Sequence, residues 1–314
     1  MSTLHPQTQA MIDAMARMNL LPPDQLTVEQ ARAQFDRSRK PFLAAPQAVG
    51  TLVDSTIPGP GGAIPIRSYR PIDSRKDEAL PVLVFFHGGG WVFGGLDSHD
   101  PLCRELCNIS GCALIAVDYR LAPEHKFPAA VDDALAATRY IHAHAKEFGV
   151  DASRLAVGGD SAGGNLAAVV ALTFRDQGGP ALKLQVLIYP VTDLAMDTPS
   201  YETIANGFTL TRDRMRYFRK AYLRGDQDIG DWRASPIRAP DLSRLPPAIV
   251  LAAAYDPLVD EGKAYADRLG ASGVHVTYTS YEGLTHGFMS VAGAIDPAHT
   301  AIAEAASALK RAFS

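Results

Sequence analysis

The chain has 314 residues, 47% of them hydrophobic, with 30 lysines and arginines against 34 aspartates and glutamates for a net charge of −4. That length can bury a large core as one α/β domain with a modest insertion, and near-balanced charge with no basic block beyond Arg37-Ser38-Arg39-Lys40 excludes nucleic acid as an expected partner. The first residues carry no basic segment followed by an unbroken apolar stretch, so neither a signal peptide nor stable membrane insertion is expected, and the cytoplasm is the default location.

Residues 7–20 place Met11, Ile12, Met15, Ala16 and Met18 at helical spacing, and Thr27-Val28-Glu29-Gln30 has the form of a capping box that opens a second helix. From Gly50 the period changes. Residues 51–57 and 63–69 read as strands joined by the turn-forming run Pro58-Gly59-Pro60-Gly61-Gly62, which predicts an antiparallel hairpin at one edge of a sheet. Further apolar, β-branched runs follow at 81–87, 113–118, 154–158, 183–189, 248–254 and 275–281. Helical stretches lie between most of them, at 129–148, 162–176 and 261–271, with a last helix at 299–313. Continuous apolar strands alternating with helices predict a mostly parallel sheet covered on both faces. The interval 191–245 is too long for an ordinary connection and reads as a cap insertion, joined in space by the N-terminal helices of residues 1–49, with the catalytic domain spanning 50–314.

Cys103, Cys107 and Cys112 are the only cysteines, an odd number in one short region, and form no disulfide framework. No CxxC, HExxH or fitting histidine cluster completes a metal site, so they read as buried or half-buried thiols.

The chemistry concentrates in two loops. Gly159-Asp160-Ser161-Ala162-Gly163 stands between the apolar run Leu155-Ala156-Val157 and a helix-like segment from Asn165, the setting in which GxSxG makes a nucleophile elbow around Ser161. His87-Gly88-Gly89-Gly90-Trp91 ends another apolar run and has the form of an oxyanion-hole loop, with Gly88, Gly89 and Ala162 as the expected amide donors. A serine hydroxyl is too weak an acid to attack a carbonyl unaided, so it requires an imidazole base and an orienting carboxylate. His286 follows the last strand between glycines. Asp256 follows the preceding strand, so both fall at the sheet edge that carries Ser161.

The rival residues sit less well. His142 and His144 lie in a helical run, His5 and His299 near the termini, and His275 at a strand start, while His87 suits organisation of its own loop. Asp260 and Glu261 remain alternatives to Asp256, although both lie where a helix has begun and their charges would suit its N-terminus. Asp160 adjoins the nucleophile, but neighbours on a tight turn point apart.

Taken together, His87-Gly88-Gly89-Gly90-Trp91, Asp118-Tyr119-Arg120-Leu121-Ala122-Pro123-Glu124, Gly159-Asp160-Ser161-Ala162-Gly163-Gly164, Asp256-Pro257-Leu258-Val259-Asp260-Glu261-Gly262 and His286-Gly287-Phe288 resemble the bacterial hormone-sensitive lipase family of carboxylesterases, in order and spacing. The resemblance implies an α/β-hydrolase core of eight strands with a helical cap, and hydrolysis of short to medium acyl esters by water through an acyl-enzyme, without a cofactor. It is compatible with a homodimer. The 118–124 segment reads as a buried scaffold of hydrogen bonds and ion pairs rather than a second site. Trp91, Phe93, Phe208, Leu210, Leu258 and Phe288 are candidates for the substrate pocket, each with plain core as its alternative. Two rival functions stand beside the esterase: hydrolysis of an amide, lactone or carbamate by the same machinery, and non-catalytic binding of a small molecule on the same fold.

Overall fold

A computed structural model describes residues 3–75, 77–206 and 208–314. Two helices precede any strand: α1 (Pro6–Ala16) and α2 (Val28–Arg39). The capping box forms as expected, with the Gln30 amide donating to Thr27 Oγ1 at 3.2 Å and the Thr27 amide to Gln30 Oε1 at 3.0 Å. The chain then runs through β1 (Thr51–Gly59), β2 (Gly62–Arg70), β3 (Leu80–Phe86), α3 (Leu96–Ser110), β4 (Ala113–Val117), α4 (Ala129–Ala143), β5 (Val150–Asp160), α5 (Ala162–Gln177) and β6 (Leu182–Ile188). It ends with α6 (Ser200–Thr203), α7 (Arg212–Tyr222), β7 (Ala248–Tyr255), α8 (Val259–Ala271), β8 (Val276–Thr285) and α9 (Pro297–Phe313).

The strands form one eight-stranded sheet in the order β1-β2-β4-β3-β5-β6-β7-β8. β1 and β2 form the expected hairpin, Gly59 opposite Gly62, and β2 pairs antiparallel with β4; every pair from β4 to β8 is parallel. Successive side chains of a strand face opposite sides, and here both sides are covered. Val82, Val84 and Phe86 of β3 join one core while Leu83 and Phe85 join the other; in β7, Ala248 and Val250 alternate in the same way with Ile249 and Leu251. That is why these strands read as unbroken apolar runs. α4, α5 and α8 pack on the first face through Ala130, Leu166 and Tyr265, and α3 and α9 on the second through Leu106 and Ile302.

The sequence reading does not single out α3, whose pattern is interrupted by Pro101 and a polar first turn; Gly111, at φ 70°, ends it in the left-handed region that a Cβ disfavours. The cysteines are free thiols in this region, all three buried in the core of the second face, and burial raises all three above the ordinary thiol value, Cys112 to about 11. α7 is likewise hidden in the sequence among charges, yet Thr211 caps it by accepting the Arg214 amide, and Met215, Phe218 and Tyr222 form its buried stripe.

The first helices and the 191–245 interval lie together. Leu20, Leu21 and Leu26 of the segment before α2 and Tyr217, Lys220 and Ala221 of α7 line one groove of about 1170 Å³. Arg32 of α2 fastens this segment to the body, donating from Nε to the Val92 carbonyl at 2.8 Å, from Nη2 to the Ala122 carbonyl at 3.0 Å, and from Nη1 and Nη2 to the two Glu124 oxygens at 2.7 Å each. On the other side, Asn165 of α5 donates to the carbonyls of Val191 and Ala234, both at 2.9 Å. No helix among the described residues is long and apolar enough to cross a membrane.

Candidate active site

Ser161 stands between the end of β5 and the start of α5 with φ 57° and ψ −117°, a conformation that L-residues rarely hold. Neighbouring backbone fixes it: its amide donates to the Ile188 carbonyl at 2.8 Å, and its carbonyl accepts from Asn165 at 3.1 Å and Val191 at 3.2 Å. The turn is tight enough that only glycine fits two residues to either side of it. A Cβ on Gly163 would lie 1.9 Å from the Phe86 carbonyl oxygen, and one on Gly159 2.3 Å from the same atom.

His286 follows β8 and Asp256 follows β7, so adjacent parallel strands deliver both side chains to the carboxyl edge where β5 delivers Ser161. His286 Nε2 lies 2.9 Å from Ser161 Oγ, and Nδ1 lies 2.6 Å from Asp256 Oδ2. The carboxylate is 1% exposed, and its other oxygen accepts the Leu258 amide at 2.9 Å, which fixes the plane it presents to the imidazole. Thr209 Oγ1 donates to the His286 carbonyl at 2.7 Å, and the Tyr189 ring packs against the imidazole at 4.8 Å. Two of the rival acids are engaged elsewhere. Asp260 Oδ2 accepts the Ser200 amide at 2.8 Å; Glu261 is fully buried, its Oε1 accepting the amides of Thr192 and Asp193 at 2.7 and 3.1 Å. Glu261 thus ties α8 to the start of the insertion rather than serving the helix terminus, and burial pushes its carboxyl up to about 8.

The glycine loop departs from expectation at one position. Gly88 does not offer its N–H to the cavity, because it donates to Asp160 Oδ1 at 2.7 Å. Asp160, turned away from the serine hydroxyl as expected, also meets His99 Nε2 of α3 at 3.1 Å. Burial by itself would raise this carboxyl; His99 and the Gly88 amide outweigh it and hold the group below its ordinary value. The amides of Gly89 and Gly90 have no acceptor among the described residues, and the loop that presents them is closed by the Val92 and Phe93 amides donating to the Gly89 carbonyl at 3.1 and 2.9 Å. Gly90, at φ 61°, sits so close to α7 that a Cβ would lie 2.3 Å from the Phe218 ring. His87 organises this loop: its carbonyl accepts the Tyr119 hydroxyl at 2.6 Å, the two rings stack at 4.4 Å, and Nδ1 lies 2.8 Å from the Gly88 carbonyl.

The 118–124 segment is the scaffold for that loop. Besides Tyr119, the Ala122 amide donates to the Trp91 carbonyl at 2.8 Å, and Arg120 forms a bidentate pair with Asp133. It is less buried than expected, since the Asp118 and Glu124 side chains are 36% and 51% exposed.

Ser161 opens into a cavity of about 60 Å³ whose lining includes Gly89, Gly90, Leu210, Phe218, His286 and Phe35. Of the expected pocket residues, Leu210 lines this cavity and Phe208 lines the adjoining groove. Four others are core. Trp91 stacks on Tyr222 at 4.1 Å, Phe93 packs against Phe35 and Phe218, Phe288 lies against Tyr189 and Tyr281, and Leu258 contributes its amide to Asp256. Each is at most 2% exposed, so it backs the wall without forming its surface. Phe35, Arg39, His99, Thr209, Arg214, Phe218 and Ser290 line the cavity and are missed by sequence reasoning; Arg39 was visible only as part of a short basic run. Among the described residues no group of three or more potential ligands could hold a metal ion.

The family model described as the alpha/beta hydrolase fold matches residues 83–290. The chain is 48% identical over 255 residues to the carboxylic ester hydrolase LipN of Mycobacterium tuberculosis, covering 79% of this chain and 67% of that protein. It is 42% identical over 291 residues to the carboxylesterase NlhH of the same species, covering 91% and 90%. Among solved structures, an alpha/beta hydrolase enzyme from the metagenome of Lake Arreo, Spain, superposes with a TM-score of 0.95 at 42% identity over 99% of both chains. With the sheet order, the serine turn and these relatives in agreement, the chain belongs to the α/β hydrolase family, in the hormone-sensitive-lipase-like group that its motifs resemble.

Proposed function

We propose that this protein is a serine carboxylesterase that cleaves short to medium acyl esters through an acyl-enzyme, with Ser161 as nucleophile, His286 as general base and acid, and Asp256 as the orienting carboxylate. The observation that carries the reading is the unbroken relay from Asp256 through His286 to Ser161, at 2.6 and 2.9 Å. As Ser161 Oγ attacks the ester carbonyl, His286 Nε2 takes its proton while Asp256 keeps the Nδ1–H tautomer in place and balances the imidazolium charge. The oxygen that becomes negative is received by the amides of Gly89 and Gly90, with Ala162 at the start of α5 as third donor. Gly88 serves instead as the strut that holds this loop to Asp160. Collapse of the tetrahedral intermediate sends the His286 proton to the leaving alkoxide. Water then attacks the acyl-enzyme through the same base and releases the acid.

The segments 1–49 and 191–245 act in this reading as one cap over the body. The groove they share with its floor adjoins the serine cavity, with Thr209 and Arg214 lining both, and its volume suits the larger part of the ester. The small cavity around Ser161 favours a short group on the other side of the scissile bond. A cytoplasmic setting belongs to the same reading, since it keeps the three buried thiols reduced.

Burst-phase release of p-nitrophenol from p-nitrophenyl butyrate tests the assignment. The wild type gives a burst and Ser161→Ala gives none; turnover of that variant at the wild-type rate refutes it.

A further inference from the structure

Two guanidinium groups line the cavity above Ser161: Arg39, in the last turn of α2, and Arg214, in the first turn of α7. Neither has a carboxylate within ion-pair distance among the described residues. Their neighbours are paired, Arg32 with Glu124, Arg212 with Glu202 and Arg216 with Asp213. Arg39 donates from Nη2 to Ser290 Oγ and lies over the Phe35 ring at 5.0 Å, and its buried Nε has no acceptor. Arg214 reaches only the Thr209 carbonyl, at 3.4 Å.

Both side chains are half-buried, and burial lowers both guanidiniums from their ordinary value; at Arg214 the charge of Arg39 lowers it further. The negative groups nearby do not cancel this charge. Asp256 is paired with His286, Asp160 is held by the Gly88 amide and His99, and Asp36 is an exposed residue of α2. A partly desolvated cation without a counter-ion is costly, and the cost is recovered when an anion enters. The planar guanidinium fork matches a carboxylate, and the cavity is too small for a bulky anion beside the ester.

We propose that Arg39 and Arg214 select esters that carry a free carboxylate a few bonds from the scissile carbonyl. This rests on the esterase reading above and names its substrate class. The carboxylate is held and not consumed, and the ester carbonyl is the group that Ser161 attacks. Two kinds of molecule share this chemistry: a monoester of a short dicarboxylic acid, with the carboxylate on the acyl side, and an acylated hydroxy acid, with the carboxylate on the alcohol side.

The test measures kcat/KM by proton release for monomethyl succinate against its neutral amide, methyl succinamate, and for acetoxyacetate against acetoxyacetamide. Each pair is run with the wild type, Arg39→Gln and Arg214→Gln. The wild type favours the acid over its amide by about tenfold or more in one pair, which identifies the side that carries the charge. In at least one variant that preference falls by about tenfold, mainly through KM, because the carboxylate is bound alike before and during bond breaking. The preference is a ratio within one preparation, so loss of folded enzyme cancels. A wild-type ratio near one or below in both pairs overturns the inference. So does an unchanged ratio in both variants. If the wild type turns over neither the amides nor p-nitrophenyl butyrate, the esterase reading itself fails and this inference falls with it.

Discussion

Asp256→Asn alters the relay at its far end while leaving its shape nearly untouched. Asp256 Oδ1 accepts the Leu258 amide at 2.9 Å and Oδ2 faces His286 Nδ1 at 2.6 Å. An asparagine side chain keeps its oxygen on the Leu258 N–H, so its NH₂ is the group turned toward Nδ1. Two donors cannot share that bond, and the imidazole answers by presenting the Nδ1 lone pair and carrying its proton on Nε2. Nε2 then has no lone pair for the Ser161 proton, 2.9 Å away. The same substitution in a serine protease triad lowers kcat by about 10⁴-fold, and a similar loss is expected here, about 5–6 kcal/mol in barrier height. Steady-state kcat with p-nitrophenyl butyrate is the assay. Asp260→Asn, in the first turn of α8, is the control, because its carboxylate meets the Ser200 amide and not the histidine; its kcat should stay within about tenfold of wild type. Retention of more than a tenth of wild-type kcat by Asp256→Asn, or an equal loss in Asp260→Asn, would refute the relay.

Gly90→Ala places a methyl group against the Phe218 ring at a φ of 61°, so the loop must shift and carry the proposed oxyanion donor with it; kcat/KM should fall about a hundredfold while the chain stays folded by circular dichroism, and near-normal kcat/KM would remove Gly90 from the proposed oxyanion hole. Glu261 supplies a pH dependence. Its folded carboxyl titrates near 8 against an ordinary 4.5, so between those values the folded chain holds a proton that the unfolded chain has released. Its stabilising contribution is therefore complete below 4.5 and lost as pH rises through 8, by a few kcal/mol. Urea unfolding at pH 5 and pH 8 should show a smaller decline for Glu261→Gln than for the wild type, and equal declines would contradict the assignment. The thiols of Cys103, Cys107 and Cys112 should resist an aromatic disulfide reagent at pH 8 in the native protein and react together once it is unfolded; rapid labelling of any one in the native state would show that its burial is wrong.

Much of the site was legible because its parts are local. A serine between glycines, after an apolar run and before a helix, specifies a tight turn by sterics within a few residues, and the Cβ clashes at Gly159 and Gly163 give the reason. Asp256 and His286, the proposed acid and base, could be brought to Ser161 on paper because each follows a strand of a parallel sheet, whose carboxyl ends share one edge. That the Gly88 amide is occupied while the Gly90 amide is free could not be read. Adjacent glycines look alike in sequence, and which amide is free depends on Asp160, which reaches Gly88 only after β5 has docked beside β3.

Pocket lining was the least legible part. Trp91, Phe93, Leu258 and Phe288 are as apolar as any pocket residue, and hydrophobicity alone does not distinguish a wall's surface from its backing. Arg39 and Arg214 carry the opposite lesson, since charged side chains in amphipathic helices read as solvent-facing until the helices are placed against the serine cavity. The sequence by itself determined the alternation of strands and helices, the serine turn and the glycine loop, because these follow from backbone sterics and side-chain period over short distances. Only the tertiary structure decided which amides are left free beside Ser161, which aromatic rings line its cavity and which cations there lack a carboxylate partner, because those depend on the packing of α2, α3 and α7 against strands far away in the chain.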